Sequence, residues 1–408
     1  MIYLDHAAST NVLPSVLEAM IPWYRPERVG NPSSIHTQGV NARRAIDIAR
    51  EQVARMIGAD ASEIFFTSGG TESNNAWFRC LSKPVVITDV LEHHSISEPL
   101  KNACVSSSSI VMKYAMVWPD GSVNLDSLEQ LIVENKENLG AVSIMWVNNE
   151  LGTVNPIKDI GALCKKHNIP FHSDAVAAAG HVKIDVHDCN VDFLSISGHK
   201  FGAPQGVGAL YISHRIQKQP WVYGGGQENG LRGGTENVPG IVGIGEAAEL
   251  ATDYLPQNHA KWERLRSAFI SELNDLMCNE FRINGSKDHY SPNVISLTIP
   301  GVNSESLLLL LDRQDIYLSA GSACSASSAT VSHVLQGIGM TDADAACTVR
   351  ISMGFDTTES NMLQTAHCIM ATAHKLKAMY PYMSLKSAIC ESTPTLTACF
   401  VENVSETR

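Results

Sequence analysis

The feature that most constrains the fold is an alternation of helical patterns with short apolar runs between about residues 40 and 215. The helical pattern "NARRAIDIAREQVARMIGA" sets Ile46, Ala49, Val53 and Ile57 on one face. The apolar runs lie in "EIFFTSGG", "PVVITD", "AVSIMWVNNE", "NIPFHSDA", "VDFLSISGHK" and "GVGALYIS". Short runs rich in Val, Ile and Phe between helices predict buried strands of a mainly parallel sheet, and hence an α/β fold.

Beyond about residue 255 the pattern changes and predicts a smaller α+β domain. Helices are predicted in "KWERLRSAFISELNDLM", in "ESLLLLL" and from about Glu359 to Met379, and strands in "NVISLTI" and "TVRISMG". We therefore expect a large domain over residues 15–255, a small domain over 1–14 and 256–383, and a C-terminal tail over 384–408.

Composition narrows the class of protein and of partner. The 408 residues are 44% hydrophobic and 18% charged, and 42 acidic against 30 basic residues give a net charge of −12. This balance disfavours a nucleic-acid partner. No apolar run is long enough to span a membrane, and the start lacks a secretory pattern, so a cytoplasmic location is expected. The ten cysteines form no CxxC pair, so neither a disulfide framework nor a metal site is predicted.

Polar residues that follow the predicted strands are the candidates for a site, because ligands of parallel sheets bind at the carboxyl ends of the strands. The first such stretch is "FTSGGTESNN", in which Gly70 and Thr71 come directly before a predicted helix that starts with Glu72. Glycine lets a phosphate approach the backbone, and the helix amides and the Thr71 hydroxyl donate to it. An ordinary helix cap is the alternative interpretation.

The stretch "SISGHKFGAP" places Lys200 at the end of a buried strand, with Ser197 and His199 on the same turn. A lysine in a cleft can lose its proton and form a Schiff base with an aldehyde, while the two neighbours can donate to phosphate. The alternative is an exposed loop lysine.

Three further residues follow predicted strands: Asp174, His93 and Asn149. A buried aspartate needs a cationic or hydrogen-bonding partner, an imidazole can lie against an aromatic ring, and an amide can reach a phenolic oxygen or a carboxylate. Each residue alone is more often structural. Together with Lys200 and the phosphate donors they indicate pyridoxal 5'-phosphate as cofactor.

The sequence resembles the cysteine desulfurases of the NifS/IscS type, in the class V aminotransferase family of fold type I pyridoxal phosphate enzymes. The resemblance runs from "YLDHAAST" to "VRISMGF". Between them stand, in order, "GNPSSIH", "FTSGGTESNN", "EHHSI", "VNNELG", "SGHKFGAPQGVGALY", "GGGQENGLRGGTENVPG" and "GSACS".

The resemblance implies a role for each matching residue. Lys200 would carry the cofactor, His93 would stack on its ring, and Asp174 would pair with the ring nitrogen. Gly70, Thr71, Ser197 and His199 would hold the phosphate. Thr235 would reach the phosphate of a neighbouring subunit, which implies a homodimer.

The remaining implied roles concern the substrate. Arg350 would bind the carboxylate of L-cysteine, with Asn149 nearby. Cys324, in the stretch "SAGSACSASS", would accept the sulfur as a persulfide and pass it to a partner protein, for iron–sulfur cluster assembly or tRNA thiolation. Small residues around Cys324 are typical of a mobile catalytic loop.

The chain departs from the family at a few positions. Ala177 stands where the family usually has a glutamine that contacts the phenolic oxygen of the ring, a loss of about 1 kcal/mol if water replaces it. Gln205 and Ala203 replace a common lysine and glycine. The alternatives left open are a selenocysteine lyase or related β-eliminating enzyme, and a scaffold protein with weakened catalysis.

Overall fold

The computed structural model describes residues 1–107, 110–321 and 331–379. Residues 322–330, which include Cys324, and the predicted tail lie outside them. The α-helices are α1 Pro14–Met20, α2 Thr37–Ile57, α3 Gly70–Ala76, α4 His94–Ser107, α5 Leu125–Asn135, α6 Ile157–His167, α7 Val238–Met277, α8 Ser304–Asp312, α9 His333–Gly337, α10 Asp342–Ala345 and α11 Glu359–Met379. The strands are β1 Ile2–Tyr3, β2 Ile64–Thr67, β3 Val85–Thr88, β4 Val111–Tyr114, β5 Leu139–Ser143, β6 Phe171–Asp174, β7 Phe193–Ser197, β8 Gly208–Ile212, β9 Arg282–Asn284, β10 Val294–Thr298, β11 Ile316–Tyr317 and β12 Thr348–Ser352.

A seven-stranded sheet forms the larger part of the molecule, with strand order β2-β8-β7-β6-β5-β3-β4. Strand β8 is antiparallel to both of its neighbours, and every other pair is parallel. The predicted mainly parallel sheet is confirmed, and each of the six apolar runs contributes a strand. Strand β4 was not predicted from the sequence, because it is an edge strand whose residues are largely exposed and carry no apolar run.

Helices cover both faces of this sheet. Alternate strand residues such as Phe66 and Leu194 pack into one apolar cluster with α2, α5, α6 and the first half of α7. Their neighbours Phe65 and Phe193 pack with Trp77 and α4 on the opposite face. Both faces of the sheet are therefore buried. This explains why the strands are continuous apolar runs and do not alternate between apolar and polar residues.

A separate apolar cluster surrounds the antiparallel sheet β12-β10-β9. Helix α7 connects the two clusters, since its residues up to Ala251 pack on the large sheet and those from Trp262 onward pack with the second. The sequence predicted a helix only from Lys261. Its first half escaped detection because it is rich in glycine and because Pro256, which lies inside the helix, usually marks a boundary.

The N-terminal segment also connects the two clusters. Strand β1 pairs in parallel with β11, and Ile2 and Leu4 are buried in the second cluster. The backbone then runs toward the large sheet, where the amide of Thr10 donates to the carbonyl of His199 over 2.8 Å. Residues 5–10 therefore lie between the two clusters, next to the carboxyl ends of the parallel strands.

Among the described residues, no helix is both long and apolar enough to cross a membrane.

A buried ion pair fixes β2 to helix α2. The guanidinium of Arg50 donates to both carboxylate oxygens of Glu228 over 2.8 Å each and to the carbonyl of Ile64 over 2.6 Å. Glu228 also accepts the amide of Phe66 over 2.9 Å. The side chain of Glu228 is only 2% exposed, so its charge depends on these donors.

We expect Arg50→Ala to lower the free energy of unfolding by about 3–5 kcal/mol, because it leaves a buried carboxylate without its cation. Arg55→Ala is the matched control on the same helix. Arg55 is 51% exposed and pairs with Glu249 on the surface, so its loss should cost at most about 1 kcal/mol. Urea unfolding followed by circular dichroism measures both. Equal losses for the two variants would contradict the assignment.

Candidate active site

A cavity of about 230 Å³ opens at the carboxyl ends of the parallel strands. His93 follows β3, Asn149 follows β5, Asp174 ends β6, and Lys200 follows β7; all four line the cavity. Arg350 reaches it from β12 of the second sheet. The predicted residues therefore meet where the topology of a parallel sheet places a ligand.

Lys200 lies on a single 3₁₀ turn, Gly198–Lys200, directly after β7. Its Nζ donates to the carbonyl oxygens of Ala7 over 2.6 Å and Ala8 over 2.9 Å. The amine is thus half-buried and directed into the cavity, and the alternative of an exposed loop lysine is wrong. A lysine held in this way is suited to bond covalently with an aldehyde.

Asp174 is the carboxylate of the cavity, and its two oxygens have different donors. Oδ1 accepts the amide of Val176 over 2.9 Å, and Oδ2 accepts Nδ2 of Asn74 over 2.7 Å. Nδ2 of Asn74 also donates to the hydroxyl of Ser95 over 2.8 Å. These donors fix the carboxylate in one orientation.

The same hydrogen-bond chain reaches His93. Its Nδ1 accepts the amide of Ser95 over 3.1 Å and lies 2.7 Å from the Ser95 hydroxyl. Because Nδ1 is an acceptor, the proton of the neutral ring lies on Nε2. Burial lowers the pKa of His93, with the positive charge of Lys200 contributing and Asp174 opposing. The ring is therefore neutral at neutral pH, which suits a ring that lies against an aromatic cofactor.

Glu92 is fully buried beside this network. Burial raises the pKa of Glu92 well above its ordinary range, and the nearby carboxylates Asp89 and Asp174 raise it further. Burial and the neighbouring carboxylates therefore both favour the neutral form of Glu92 next to Asp174.

A recess that continues from the cavity is lined by Gly70, Thr71, Ser197 and His199. A Cβ on Gly70 would lie 2.7 Å from Val176, so only glycine fits there. Burial and the charge of Lys200 lower the pKa of His199 to about 4. The neutral imidazole, the two hydroxyls and the glycine backbone form a donor set suited to a phosphate group.

Arg350 is 2% exposed and is held at two points. Nη2 donates to Oδ1 of Asp5 over 2.8 Å, and Nη1 donates to the carbonyl of Asn149 over 3.0 Å. Among the described residues, Nε has no hydrogen-bond partner. Arg350 is therefore a fixed cation at the wall of the cavity, suited to a carboxylate ligand.

Among the predicted site residues that the structure describes, only Thr235 does not line the cavity, and it is exposed. Cys324 lies outside the described residues, but both flanks of its segment are described. Ser319 and Arg350 exchange backbone hydrogen bonds of 3.2 and 2.7 Å, and the hydroxyl of Ser332 donates to Glu150 over 2.6 Å. One flank thus lies beside Arg350 of the cavity wall, and the other contacts Glu150, the residue after Asn149 of that wall.

Sequence reasoning missed the residues that support the site: Asp5, Ala7, Ala8, Asn74 and Ser95. All lie inside motifs that were recognised, namely "YLDHAAST", "FTSGGTESNN" and "EHHSI". The residue types in those motifs do not by themselves predict these contacts. A backbone carbonyl or an amide side chain that contacts a residue a hundred or more positions away leaves no sign in the sequence.

The residues of the cavity fit pyridoxal phosphate. An amine, a carboxylate with fixed orientation, a neutral imidazole and a recess of hydroxyl and glycine groups are the groups this cofactor requires. Ala177 also lines the cavity and supplies no side-chain donor, so one contact expected of the family is absent.

Comparisons with known proteins agree with this geometry. The profile of the family Aminotransferase class-V matches residues 2–364. The chain is similar to "Cysteine desulfurase IscS" of Clostridium botulinum, with 41% identity over 369 residues, 88% of this chain and 91% of that protein. A solved "NIFS-LIKE PROTEIN" superposes with a TM-score of 0.83 at 36% identity, covering 91% of this chain and 98% of that one. A structure of "SspA in complex with cysteine" has a TM-score of 0.71 at 36% identity, covering 86% and 99%.

Asn74→Ala should weaken binding of pyridoxal phosphate about ten- to a hundredfold, because a hydrogen bond to a charged group contributes about 1.5–3 kcal/mol. Asn75→Ala is the matched control, since its side chain donates to the backbone carbonyls of Thr71 over 2.8 Å and Ser95 over 3.5 Å rather than to a side chain of the cavity. Absorbance titration of the cofactor-free proteins gives both dissociation constants. Equal affinities would show that the contact between Asn74 and Asp174 does not support the site.

Proposed function

The chain belongs to the class-V aminotransferase family, and from this membership and the cavity we propose that it is a cysteine desulfurase dependent on pyridoxal 5'-phosphate. It converts L-cysteine to L-alanine and transfers the sulfur to its own Cys324. The observation that carries the proposal is the meeting of Lys200, Asp174 and Arg350 in one cavity. An amine, a carboxylate and a guanidinium there match the aldehyde, the ring nitrogen and the substrate carboxylate respectively.

Each residue of the cavity has one task in holding the cofactor. Lys200 would bond to the aldehyde, Asp174 would pair with the ring nitrogen, and His93 would lie against the ring. Gly70, Thr71, Ser197 and His199 would hold the phosphate, and Asn149 would lie near the phenolic oxygen and the substrate. Bound pyridoxal phosphate supplies an electron-withdrawing ring that weakens the bonds to the α-carbon of an amino acid.

The substrate is oriented from the other wall of the cavity. The guanidinium of Arg350 binds the carboxylate of L-cysteine, and its contacts with Asp5 and Asn149 keep it from swinging out. Nζ of Lys200 lines the same cavity and would take the α-proton of the bound substrate.

The sulfur step balances without a further reactant. The thiolate of Cys324 attacks the sulfur of L-cysteine, so that an S–S bond forms and the C–S bond breaks. The electron pair of the broken bond stays on the β-carbon, which takes up a proton to become the methyl group of L-alanine. Cys324 is left as a persulfide.

The persulfide serves an acceptor protein in iron–sulfur cluster assembly or tRNA thiolation. The exposed position of Thr235 suits a homodimer in which this residue reaches the phosphate bound by the partner subunit. We place the protein in the cytoplasm. Neither a nucleic-acid partner nor a membrane is part of the proposal.

Replacing Lys200 or Cys324 separates the two halves of the reaction. Lys200→Ala should abolish both the yellow colour of the bound cofactor and alanine formation. Cys324→Ser should keep the colour and lose sulfide release from L-cysteine. Cys278→Ser, which changes an exposed thiol at the end of α7, should keep both. Absorbance spectra and assays of alanine and sulfide measure the outcomes. Sulfide release by Cys324→Ser at the parent rate would refute its role.

Arg350→Lys should raise KM for L-cysteine about ten- to a hundredfold, because lysine cannot make the two-point contact with a carboxylate that contributes about 1.5–3 kcal/mol. The control is Arg266→Lys, at a buried arginine that donates to the carbonyl of Val294 in the second sheet. Initial rates against L-cysteine concentration give KM and kcat. The same KM in both variants would remove Arg350 from the substrate site.

A further inference from the structure

Four side chains converge at the end of the large sheet opposite to Lys200: Asp60, Glu63, His187 and His214. Asp60 and Glu63 flank the turn that leads into β2. His214 follows the end of β8, which is antiparallel to β2, and His187 lies in the connection between β6 and β7. Three segments distant in sequence therefore meet at one surface point.

The distances between these side chains suit ligands of one shared ion. Nε2 of His187 lies 3.6 Å from Oε2 of Glu63. Nε2 of His214 lies 3.9 Å from Oε1 of Glu63 and 3.8 Å from Oδ2 of Asp60. One ligand atom from each of Asp60, Glu63 and His187 lies within 4.8 Å of the others. His214 is not a member of that group of three, and its exposed ring has to turn toward them to become the fourth ligand. Ligands bound at about 2.0–2.2 Å in a tetrahedron are about 3.4 Å apart, so small rotations of the exposed rings bring these atoms to a common metal.

The burial and the backbone contacts of Glu63 show that the fold holds this group of side chains in place. Its side chain is only 2% exposed. Oε1 accepts the amide of His214 over 2.9 Å, and Oε2 accepts the amide of Asp60 over 3.2 Å. The central carboxylate thereby fixes the backbone that carries two of the other ligands. Each oxygen retains a second lone pair for a metal.

The side chain of Asp60 accepts the amide of Glu63, so that the two residues form a capping box. The remaining contacts at this point involve the two rings. Nε2 of His214 lies 3.2 Å from the hydroxyl of Ser62, a contact that it would exchange for the metal. The ring of His187 packs edge-on against Tyr211 of β8, at 6.4 Å between ring centres.

The charge balance also favours a cation. Within the part of the chain that the structure describes, no lysine or arginine nitrogen lies within 4.0 Å of the carboxylates of Asp60 and Glu63. A buried carboxylate without a cation is costly. Two imidazoles and two carboxylates match zinc, nickel or cobalt better than magnesium or calcium, which prefer oxygen ligands alone.

We propose that Asp60, Glu63, His187 and His214 form a binding site for one divalent transition-metal ion of the zinc class. The expectation of no metal site came from the spacing of the cysteines, which this site does not use. The ion joins three surface segments and stabilises the folded state, because it binds the assembled ligands and not the unfolded chain. The site lies at the opposite end of β2 and β8 from the cavity, and it does not depend on the proposed reaction.

The test compares the parent enzyme, loaded with pyridoxal phosphate, with the double variant His187→Ala/His214→Ala. After treatment with a chelator and its removal, each protein is titrated with zinc chloride in a calorimeter and heated with and without zinc. The control is His367→Ala, which removes a surface histidine whose Nε2 lies 3.0 Å from Glu272. All three proteins have the same ten cysteines, so zinc bound by thiols cancels in the comparison.

The parent and His367→Ala should bind one more zinc ion per chain than the double variant, and zinc should raise their unfolding temperature more. Equal stoichiometry and equal shifts in all three proteins would overturn the proposal. Should the double variant not fold, His187→Gln and His214→Gln are each titrated, and each should lose zinc affinity at least tenfold; an unchanged affinity in both would refute the site. Both single variants should keep the parent rate of alanine formation, which distinguishes this result from a failure of the proposed reaction.

Discussion

The whole site depends on a short N-terminal segment that joins the two halves of the molecule. Ala7 and Ala8 accept the amine of Lys200 through their carbonyl oxygens, and Asp5 accepts the guanidinium of Arg350. The amide of Ala7 in turn donates to the hydroxyl of Ser352 over 2.8 Å. A group from the large sheet and a group from the small sheet are thus positioned by the same few residues. This arrangement links the position of the lysine on the large sheet to that of the arginine on the small sheet.

The same segment shows how much of the site the sequence could reveal. Lys200, Asp174 and His93 were predictable because each follows a continuous apolar run, and parallel strands bring their carboxyl ends together. Ala7 and Ala8 were not, since a backbone carbonyl has no signature in the residue type. Asn74 was not, because its contact with Asp174 joins residues 100 positions apart. The periodicity of apolar residues predicts which face of a helix or strand is buried. It does not predict which polar groups of different elements form hydrogen bonds with one another.

Electrostatics in the cavity follow from burial more than from the count of charged residues. The pKa values of His93 and His199 are lowered and that of Glu92 is raised, in each case with burial as the largest cause. Burial thus favours the neutral form of all three groups. Lys200 and Arg350 lie on different walls of the cavity, which suits two anionic groups bound at two separate places.

At Ala177 the lining of the cavity departs from the pattern of the family. The position lines the cavity next to Val176, whose amide donates to Asp174. The loss of a glutamine therefore removes a contact at the edge of the ring and leaves the carboxylate orientation to the backbone and to Asn74. A missing neutral hydrogen bond costs about 1 kcal/mol, whereas the contacts to charged groups at Asp174 are each about twice as strong. The groups proposed to hold the ring nitrogen and the phosphate would consequently outweigh the departure, and this favours a working enzyme over a scaffold that has lost its chemistry.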